Sequence, residues 1–427
     1  MSMTVHETTV KNNLCVSCGI CESVCPQKCI KPQFQYNQFI PVINSEKCTN
    51  CDICSDICSM HHKDFMKYAV LNGQSVENIN WKAGYYKKSY IGFSLDPLIR
   101  LNSTSGGLIT TIVKVLLEKS LYSKAFLVDD FNYRGIVSTK MFTKENSLEE
   151  TSKSRYIPVS HREMIKYALA NRNERLIIVA TGCVVHTLLN VIEKFRLNRN
   201  NFLILGLFCD RTMNQNVYKY FQDYISDVGE LDKLYFRTKE RSGWPGNVKF
   251  VLNNGKAIFI PREVRMNIKE YFQLEACLYC VDKLNQFADI SFGDNYTRKN
   301  SDSNGSNSII VRTSMGEEVI NYIKDEIELI DVELDIIMKS QHINERGLNL
   351  EFAKIFFMQN KVNLYPEIIC EEHYDVANKL KKILALRRKN IQIGKIYPQG
   401  KKALQRKLMI NSIKNKSRRF LKRLIKK

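Results

Sequence analysis

Two copies of one cysteine pattern constrain this chain more than anything else in it. The first reads C-V-S-C-G-I-C-E-S-V-C-P and sets Cys15, Cys18, Cys21 and Cys25 at gaps of two, two and three residues, with Pro26 next. The second reads C-T-N-C-D-I-C-S-D-I-C-S and sets Cys48, Cys51, Cys54 and Cys58 at the same gaps. Three thiolates on a tight loop can wrap three irons of a cubane, while a fourth, one helical turn on, points away and caps the other half's cube. The repeat therefore predicts two [4Fe–4S] clusters with crossed ligation. Cys15, Cys18, Cys21 and Cys58 would hold one, and Cys48, Cys51, Cys54 and Cys25 the other. A pair of four-cysteine zinc sites is the competing chemistry, but zinc motifs rarely show three cysteines at two-residue gaps twice over. Ser59 stands where the motif usually has proline, a change that bears on local rigidity and not on ligation. Cys29 falls outside both patterns and reads as a buried thiol.

Cysteine placement also argues for the compartment. Nine of the fourteen cysteines precede residue 60 in a chain of 427 residues, which points to ligation in a reducing cytoplasm rather than to disulfide stapling. The start, M-S-M-T-V-H-E-T-T, lacks the basic and apolar regions of a secretory signal, and the longest apolar runs, such as 202–209, are strand-sized. The net charge of +20 belongs to one end. Positions 381–427 carry eighteen Lys or Arg and no Asp or Glu, leaving 46 basic against 44 acidic residues before them. Leu404, Leu408, Ile413, Phe420 and Leu424 fall roughly on one face of a basic helix there. The pattern predicts that the tail attaches to an anionic membrane surface at the inner face, ahead of docking on a partner protein. Nucleic acid ranks below both, because apolar side chains are idle against phosphates.

Between these ends, strand and helix patterns alternate. Residues 62–100 read as a linker entering a new domain, with a turn at Asp96–Pro97. Strands are predicted at 124–128, 135–142, 175–180 and 201–208, with helices at 161–170, at 184–195 and ending near 224. That order suits a largely parallel sheet covered by helices. V-K-F-V-L-N-N-G-K-A-I-F-I, with Asn254–Gly255 at its centre, adds a β-hairpin. The expected organisation is an α+β module of bacterial-ferredoxin type at 1–75, then an α/β domain with antiparallel additions at 84–345. A helical extension at 346–380 and the basic amphipathic helical tail at 381–427 follow. Cys183 and Cys209 each come directly after a buried strand, on the side of an open sheet where ligands bind, and Cys277 and Cys280 form a chelating pair. Residue patterns alone leave open whether these four form a third site or are separate buried thiols. Cys370 stands alone and reads as a buried thiol.

The succession S-T-S-G-G-L-I-T, S-R-Y, T-G-C, L-F-C-D, F-R-T-K-E-R-S-G-W-P-G, C-L-Y-C-V-D and A-D-I-S-F-G-D resembles the family of coenzyme F420 hydrogenase/dehydrogenase beta subunits. The likeness runs over roughly 84–316, and a ferredoxin module ahead of it is a frequent fusion in that family. It implies a third [4Fe–4S] cluster on Cys183, Cys209, Cys277 and Cys280, with FAD beside it, making the α/β domain flavin-binding. Ser103, Thr104, Ser105, Gly106 and Gly107 would meet the flavin's diphosphate or ribityl region, since free N–H groups at a helix N-terminus suit an anion. A capped helix with a tight packing contact is the ordinary alternative.

Arg155–Tyr156 stands where the family usually has Lys–Tyr, and Arg155 would stabilise negative charge on a reduced isoalloxazine, against a plain surface ion pair. Gly182 replaces a frequent proline, and V-V-H-T replaces a Gln-containing turn. His186, one turn past Cys183, is with Arg155 a candidate catalytic group, although a solvated helix histidine is the plainer reading. G-W-P-G at 243–246 and Asp294 are candidates for the substrate side, against a tight turn and a strand-end cap. The implied function is an iron–sulfur flavoprotein oxidoreductase in the cytoplasm. It would couple a two-electron partner, F420 or another organic acceptor as in the related chlorophyll reductases, to one-electron carriers. Its redox partner would be a protein or a small molecule, and ferredoxin-fused members often belong to bacterial cell-surface polysaccharide loci. The alternative is an electron carrier with no substrate site of its own, docked on a partner enzyme.

Overall fold

The computed structural model describes residues 3–61, 63–76, 81–131, 135–369 and 377–425, with side chains of the last stretch described to 413. Cys370 and the side chains of Phe420 and Leu424 lie outside the described residues.

Each cysteine loop turns through two left-handed residues at equivalent places, Ser17 and Gly19 in the first and Asn50 and Asp52 in the second, with φ of 58°, 70°, 51° and 60°. Glycine, Asn and Asp tolerate that region best, so the loops can curl inward at little cost. Short helices follow, Ile20–Ser23 and Ile53–Asp56. Between the repeats, β1 (Ile30–Gln35) and β2 (Gln38–Ile43) form a hairpin whose two turn residues, Tyr36 and Asn37, both have positive φ. The α+β module is thus as expected.

The stretch read as linker contributes elements of its own. Asp64 caps the helix Phe65–Leu71, its side chain accepting from Lys67 N, and β3 (Lys88–Ser94) enters the main sheet. That sheet also contains β4 (Lys124–Leu127), β5 (Lys140–Phe142), β6 (Leu176–Thr181) and β7 (Phe202–Leu207). A separate antiparallel sheet is built by β8 (Leu231–Thr238), β9 (Asn247–Leu252) and β10 (Ala257–Ile260). The strands β11 (Ile290–Asp294), β12 (Asn307–Val311) and β13 (Ile327–Asp331) complete the main sheet, whose order is β13-β3-β12-β11-β7-β6-β4-β5.

Its centre, β11-β7-β6-β4, is parallel and its flanks are antiparallel, so the sheet is mixed rather than largely parallel. The cause is local. L-I-I-V-A-T and F-L-I-L-G-L are apolar enough to be covered on both faces, as parallel strands must be, whereas β3 is less fully buried and β13, at the edge, buries only Ile327. The β9–β10 hairpin turns at Asn254–Gly255 as expected, with Gly255 at φ 80°.

One apolar cluster runs without a break from the cysteine module into the body, joining Leu14, Ile20, Ile57, Phe65 and Tyr68 to Leu188, Phe287 and Tyr365. Polar contacts pin the same seam: His161 N donates to Cys18 O at 2.8 Å, and Asn190 Nδ2 donates to Ile57 O at 3.2 Å. The tail forms two helices, Asn378–Lys395 and Lys401–Ile425. Leu404 is 1% exposed and Leu408 packs beside it against the cluster holding Tyr271, Phe272 and Tyr397, while Ile413 is exposed. Part of the face read as membrane-binding is therefore already covered by the body. No helix among the described residues is long and apolar enough to cross a membrane.

Candidate functional site

The crossed pairing expected of the two repeats has a direct spatial counterpart. One cavity is lined by Cys15, Cys18, Cys21 and Cys58, and another by Cys25, Cys48, Cys51 and Cys54. Cys58 reaches the first because the helix Ile53–Asp56 carries it away from its own loop. Peptide N–H groups already point at the sulfurs: Ser17 N lies 3.4 Å from Cys15 Sγ, and Val5 N lies 3.4 Å from Cys54 Sγ. Burial pushes the Cys15 thiol up to about 12 and drives Cys18 and Cys21 well above the usual thiol range, with neighbouring sulfurs adding to the shift. Such a set is held as thiolates only by a compensating cation, which is what ferric and ferrous iron supply. Cys29 Sγ sits 3.4 Å from Cys25 Sγ as a buried thiol beside the second set. Cys51 is exposed, which places that set at the surface.

Cys183, Cys209, Cys277 and Cys280 also come together. Cys183 opens the helix Gly182–Lys194 after β6, Cys209 follows β7, and Cys277 and Cys280 flank the end of the 3-10 turn Glu275–Leu278. Burial raises Cys209 well above its usual value, and Cys277, Cys183 and Cys280 add to the shift in that order. Burial likewise lifts Cys277 to about 12 and Cys280 to about 11. Thr212 N approaches Cys277 Sγ at 3.4 Å. Among the described residues, no three His, Cys, Asp or Glu side chains are grouped as a single bound metal ion would draw them.

Residues that no motif pointed to support this set. Arg346 donates to Cys209 O at 3.1 Å and pairs with Asp210, and Asn349 Nδ2 donates to Cys280 O at 2.9 Å. Lys63 is 2% exposed and its Nζ has no hydrogen-bond partner; it faces the Tyr365 ring at 4.9 Å from the centroid. Burial lowers its pKa, while Cys280, Cys183, Cys58 and Asp282 act in the other direction. His186 is not a solvated helix histidine. It is 1% exposed, stacks on Tyr68, and its Nε2–H donates to Asp282 Oδ2 at 3.0 Å. Burial lowers its pKa despite that carboxylate. Gly182 makes room for the same carboxylate, since a Cβ there would lie 2.7 Å from Asp282 Oδ2.

Most of the residues tied to a flavin by resemblance meet around Arg237. Its guanidinium pairs with Asp294 at 2.6 and 2.9 Å and donates to Pro245 O at 2.8 Å and Thr104 O at 3.2 Å. Trp244 Nε1 and Tyr296 Oη also donate to Asp294, at 2.9 and 3.2 Å. So Asp294 is engaged by three side chains, and G-W-P-G belongs to the same cluster through Trp244 and Pro245. Burial pushes the Tyr156 phenol up, but Arg237 and Arg265 outweigh it and hold the group below its ordinary value. Ser103 Oγ is buried without a hydrogen-bond partner. Ser105 Oγ donates to Ser306 O, Thr104 Oγ1 donates to Ser152 O, and no side chain caps the helix Leu108–Glu118. Gly106 lets this loop press against β3 and β12: a Cβ there would lie 2.8 Å from Gly92 O and 2.9 Å from Asn307 N.

Lys239 Nζ donates to Ser105 O at 2.8 Å. Burial, then Lys153, Arg100 and Arg237, hold its ammonium down to about 7. A buried cluster with that many cations and an orphaned hydroxyl beside it has the charge to suit an anionic ligand. Arg155 spends its guanidinium on carbonyls, those of Lys153, Asp130 and Glu150, and lies 4.0 Å from the centroid of the Phe131 ring.

Three thiol sets, two of them on a repeated loop bolted to the third, define an iron–sulfur electron-transfer protein. Residues 173–335 match the family model for the C terminus of the coenzyme F420 hydrogenase/dehydrogenase beta subunit, and residues 8–31 match a 4Fe-4S binding domain. The first match agrees with the family that the motifs resemble, and the second with the first cysteine repeat. The F subunit of the F(420)H(2) dehydrogenase of Methanosarcina mazei is 24% identical over 359 residues, which is 81% of this chain and 93% of that protein. A chain of the xenon-derivatised F420-reducing [NiFe] hydrogenase complex from Methanosarcina barkeri aligns with a TM-score of 0.47 at 17% identity, covering 64% of this chain and 94% of that one.

Proposed function

We propose that this protein is an iron–sulfur flavoprotein oxidoreductase that passes electrons between a two-electron organic partner and one-electron carriers. A single observation carries the reading: Tyr156, on whose phenol Arg237 acts, links the Arg237 cluster to the thiol sets through its backbone. Tyr156 O accepts from Met213 N at 2.7 Å, and the preceding residue, Thr212, points its N–H at Cys277 Sγ. On the far side of that set, Ser59 Oγ donates to Cys183 O at 2.9 Å, and Ser59 follows Cys58 directly. The Cys58 set in turn neighbours the surface set at Cys51.

FAD at the Arg237 cluster would supply two-electron chemistry that can be split into single electrons for the iron–sulfur sites. The Ser103–Gly107 loop, Arg237 and Lys239 would hold it, and Trp244, Tyr296 and Asp294 would line the substrate side. Twelve cysteines would serve as iron ligands: Cys15, Cys18, Cys21 with Cys58; Cys48, Cys51, Cys54 with Cys25; and Cys183, Cys209, Cys277 with Cys280. F420 is the two-electron partner that the Methanosarcina relative's name supports, and a redox partner protein would meet the Cys51 face. Anaerobic purification followed by iron, sulfide and flavin analysis tests this. About twelve irons and one FAD per chain are expected. About eight irons and no flavin would leave an electron carrier without a substrate site in its place.

A further inference from the structure

Lys63 is the most unusual side chain in the molecule for its position. A lysine ammonium has three donors and no acceptor, and burying one without a partner is costly enough that lysines are almost never found so. Here Nζ is enclosed, unpartnered and over a ring face, while the backbone N of the same residue is tied to Leu364 O at 3.2 Å. The Tyr365 ring beneath it is fixed on both sides of Cys280: Tyr365 Oη accepts from Val281 N at 3.1 Å and donates to Tyr279 O at 2.9 Å. Cys280 and Cys183 of one thiol set, Cys58 of another and then Asp282 act to keep the amine protonated against its burial. Packing does not require an amine at this place, since a methionine would fill the same volume beside Tyr365 without the desolvation cost. What the amine lacks is an anion, and thiols of two sets are within its electrostatic reach.

We propose that Lys63 is a shared positioning residue for the two inner clusters, setting the reduction potential of the Cys183 cluster first and of the Cys58 cluster second. This rests on the reading of Cys183, Cys209, Cys277 and Cys280 as a [4Fe–4S] site. Each one-electron reduction adds one negative charge to a cluster and its four thiolates, and no proton need accompany it. A fixed ammonium within electrostatic reach of both clusters stabilises the reduced form of each. Lys63 follows the second cysteine repeat directly in the chain, so docking of the module completes the electrostatics of the body's own cluster. Without that cation, the Cys183 cluster would be harder to reduce.

The test uses the full chain, purified anaerobically as the wild type, Lys63→Met and Lys63→Arg. Iron is counted and all three clusters are followed in an EPR-monitored titration with dithionite as reductant. Iron content near twelve in the wild type upholds the underlying reading separately from the proposal. In Lys63→Met the reduction constant of the Cys183 cluster should fall at least tenfold, which is 59 mV for a one-electron couple. The Cys58 cluster should shift the same way by less, and the surface cluster at Cys51 should not move. If Lys63→Met loses the inner cluster but Lys63→Arg keeps it, the need for charge is upheld in another form. Unchanged potentials in Lys63→Met with full iron would overturn the proposal, as would equal loss of iron in both variants.

Discussion

The Arg237–Asp294 pair offers the sharpest quantitative test of the cluster around it. In Asp294→Ala, the Arg237 guanidinium keeps its bonds to Pro245 O and Thr104 O but loses the two to carboxylate oxygens. At 4% exposure it has no water to replace them, and Trp244 Nε1 and Tyr296 Oη lose their acceptor as well. Removing one partner of a buried ion pair costs about 3–5 kcal/mol. Each kcal/mol moves the midpoint of a domain of this size by about 2–4 °C, so the expected fall is roughly 6–20 °C. Thermal unfolding of the anaerobically purified protein, scanned at one fixed rate because such proteins unfold irreversibly, gives the number. The double variant Arg237→Met with Asp294→Ala closes the cycle. Replacing a buried pair by apolar groups is often close to neutral, so the double variant should recover at least half of the loss. A double variant no more stable than Asp294→Ala would show that the carboxylate works through Trp244 and Tyr296 instead, and that the pair is not a unit.

The crossed ligation is tested by Cys58→Ala and Cys54→Ala. The first should extinguish the signal of the cluster that Cys15, Cys18 and Cys21 share, the second that of the surface cluster; loss of one and the same signal in both would refute the crossing. A pH dependence follows from His161, which burial holds down to about 4. Its unfolded value is near 6.5, so between about 6.5 and 4 the unfolded chain binds a proton that the folded one refuses. Stability is therefore intact above 6.5 and is lost as the pH falls toward 4, by up to about 3 kcal/mol. Unfolding midpoints across that range should show an acid limb that His161→Phe flattens, and an unchanged limb would assign the loss to other groups.

How much of this was legible in the sequence depends on how local each feature is. The eight module cysteines could be assigned because their geometry is written within a dozen residues of chain. Cys183, Cys209, Cys277 and Cys280 could be joined only through the family resemblance and not by their own spacing, since their meeting requires the ends of β6 and β7 to face the turn Glu275–Leu278. Lys63 had no signal at all: it lies in a stretch with no periodicity, and its meaning comes from Tyr365, three hundred residues away. His186 was misread although a signal existed. The helix Gly182–Lys194 has only His186, Thr187 and Asn190 as polar residues between Val184 and Ile192, and it is buried throughout that run. What covers its outer face is the cysteine module, which no pattern within the helix could announce. The linker expectation at 62–100 failed for a related reason, because β3 is an ordinary alternating strand whose partners, β12 and β13, lie more than two hundred residues on.

The departure at Ser59 acquires a physical meaning from this arrangement. In the first repeat the fourth cysteine is followed by Pro26, and the cluster it serves is the surface one, with no further set to reach. In the second, the fourth cysteine serves the inner cluster, and the next residue must speak to the body. Ser59 N donates to Thr187 Oγ1 at 3.4 Å and Ser59 Oγ donates to Cys183 O at 2.9 Å. A proline has neither an N–H nor a hydroxyl and would forfeit both contacts. The serine thus does more than relax the backbone: it supplies a covalent and hydrogen-bonded link between Cys58 and Cys183, two thiols that belong to different sets. At this position the two halves of the repeat face different neighbours, and the second is closed against the chain's own body.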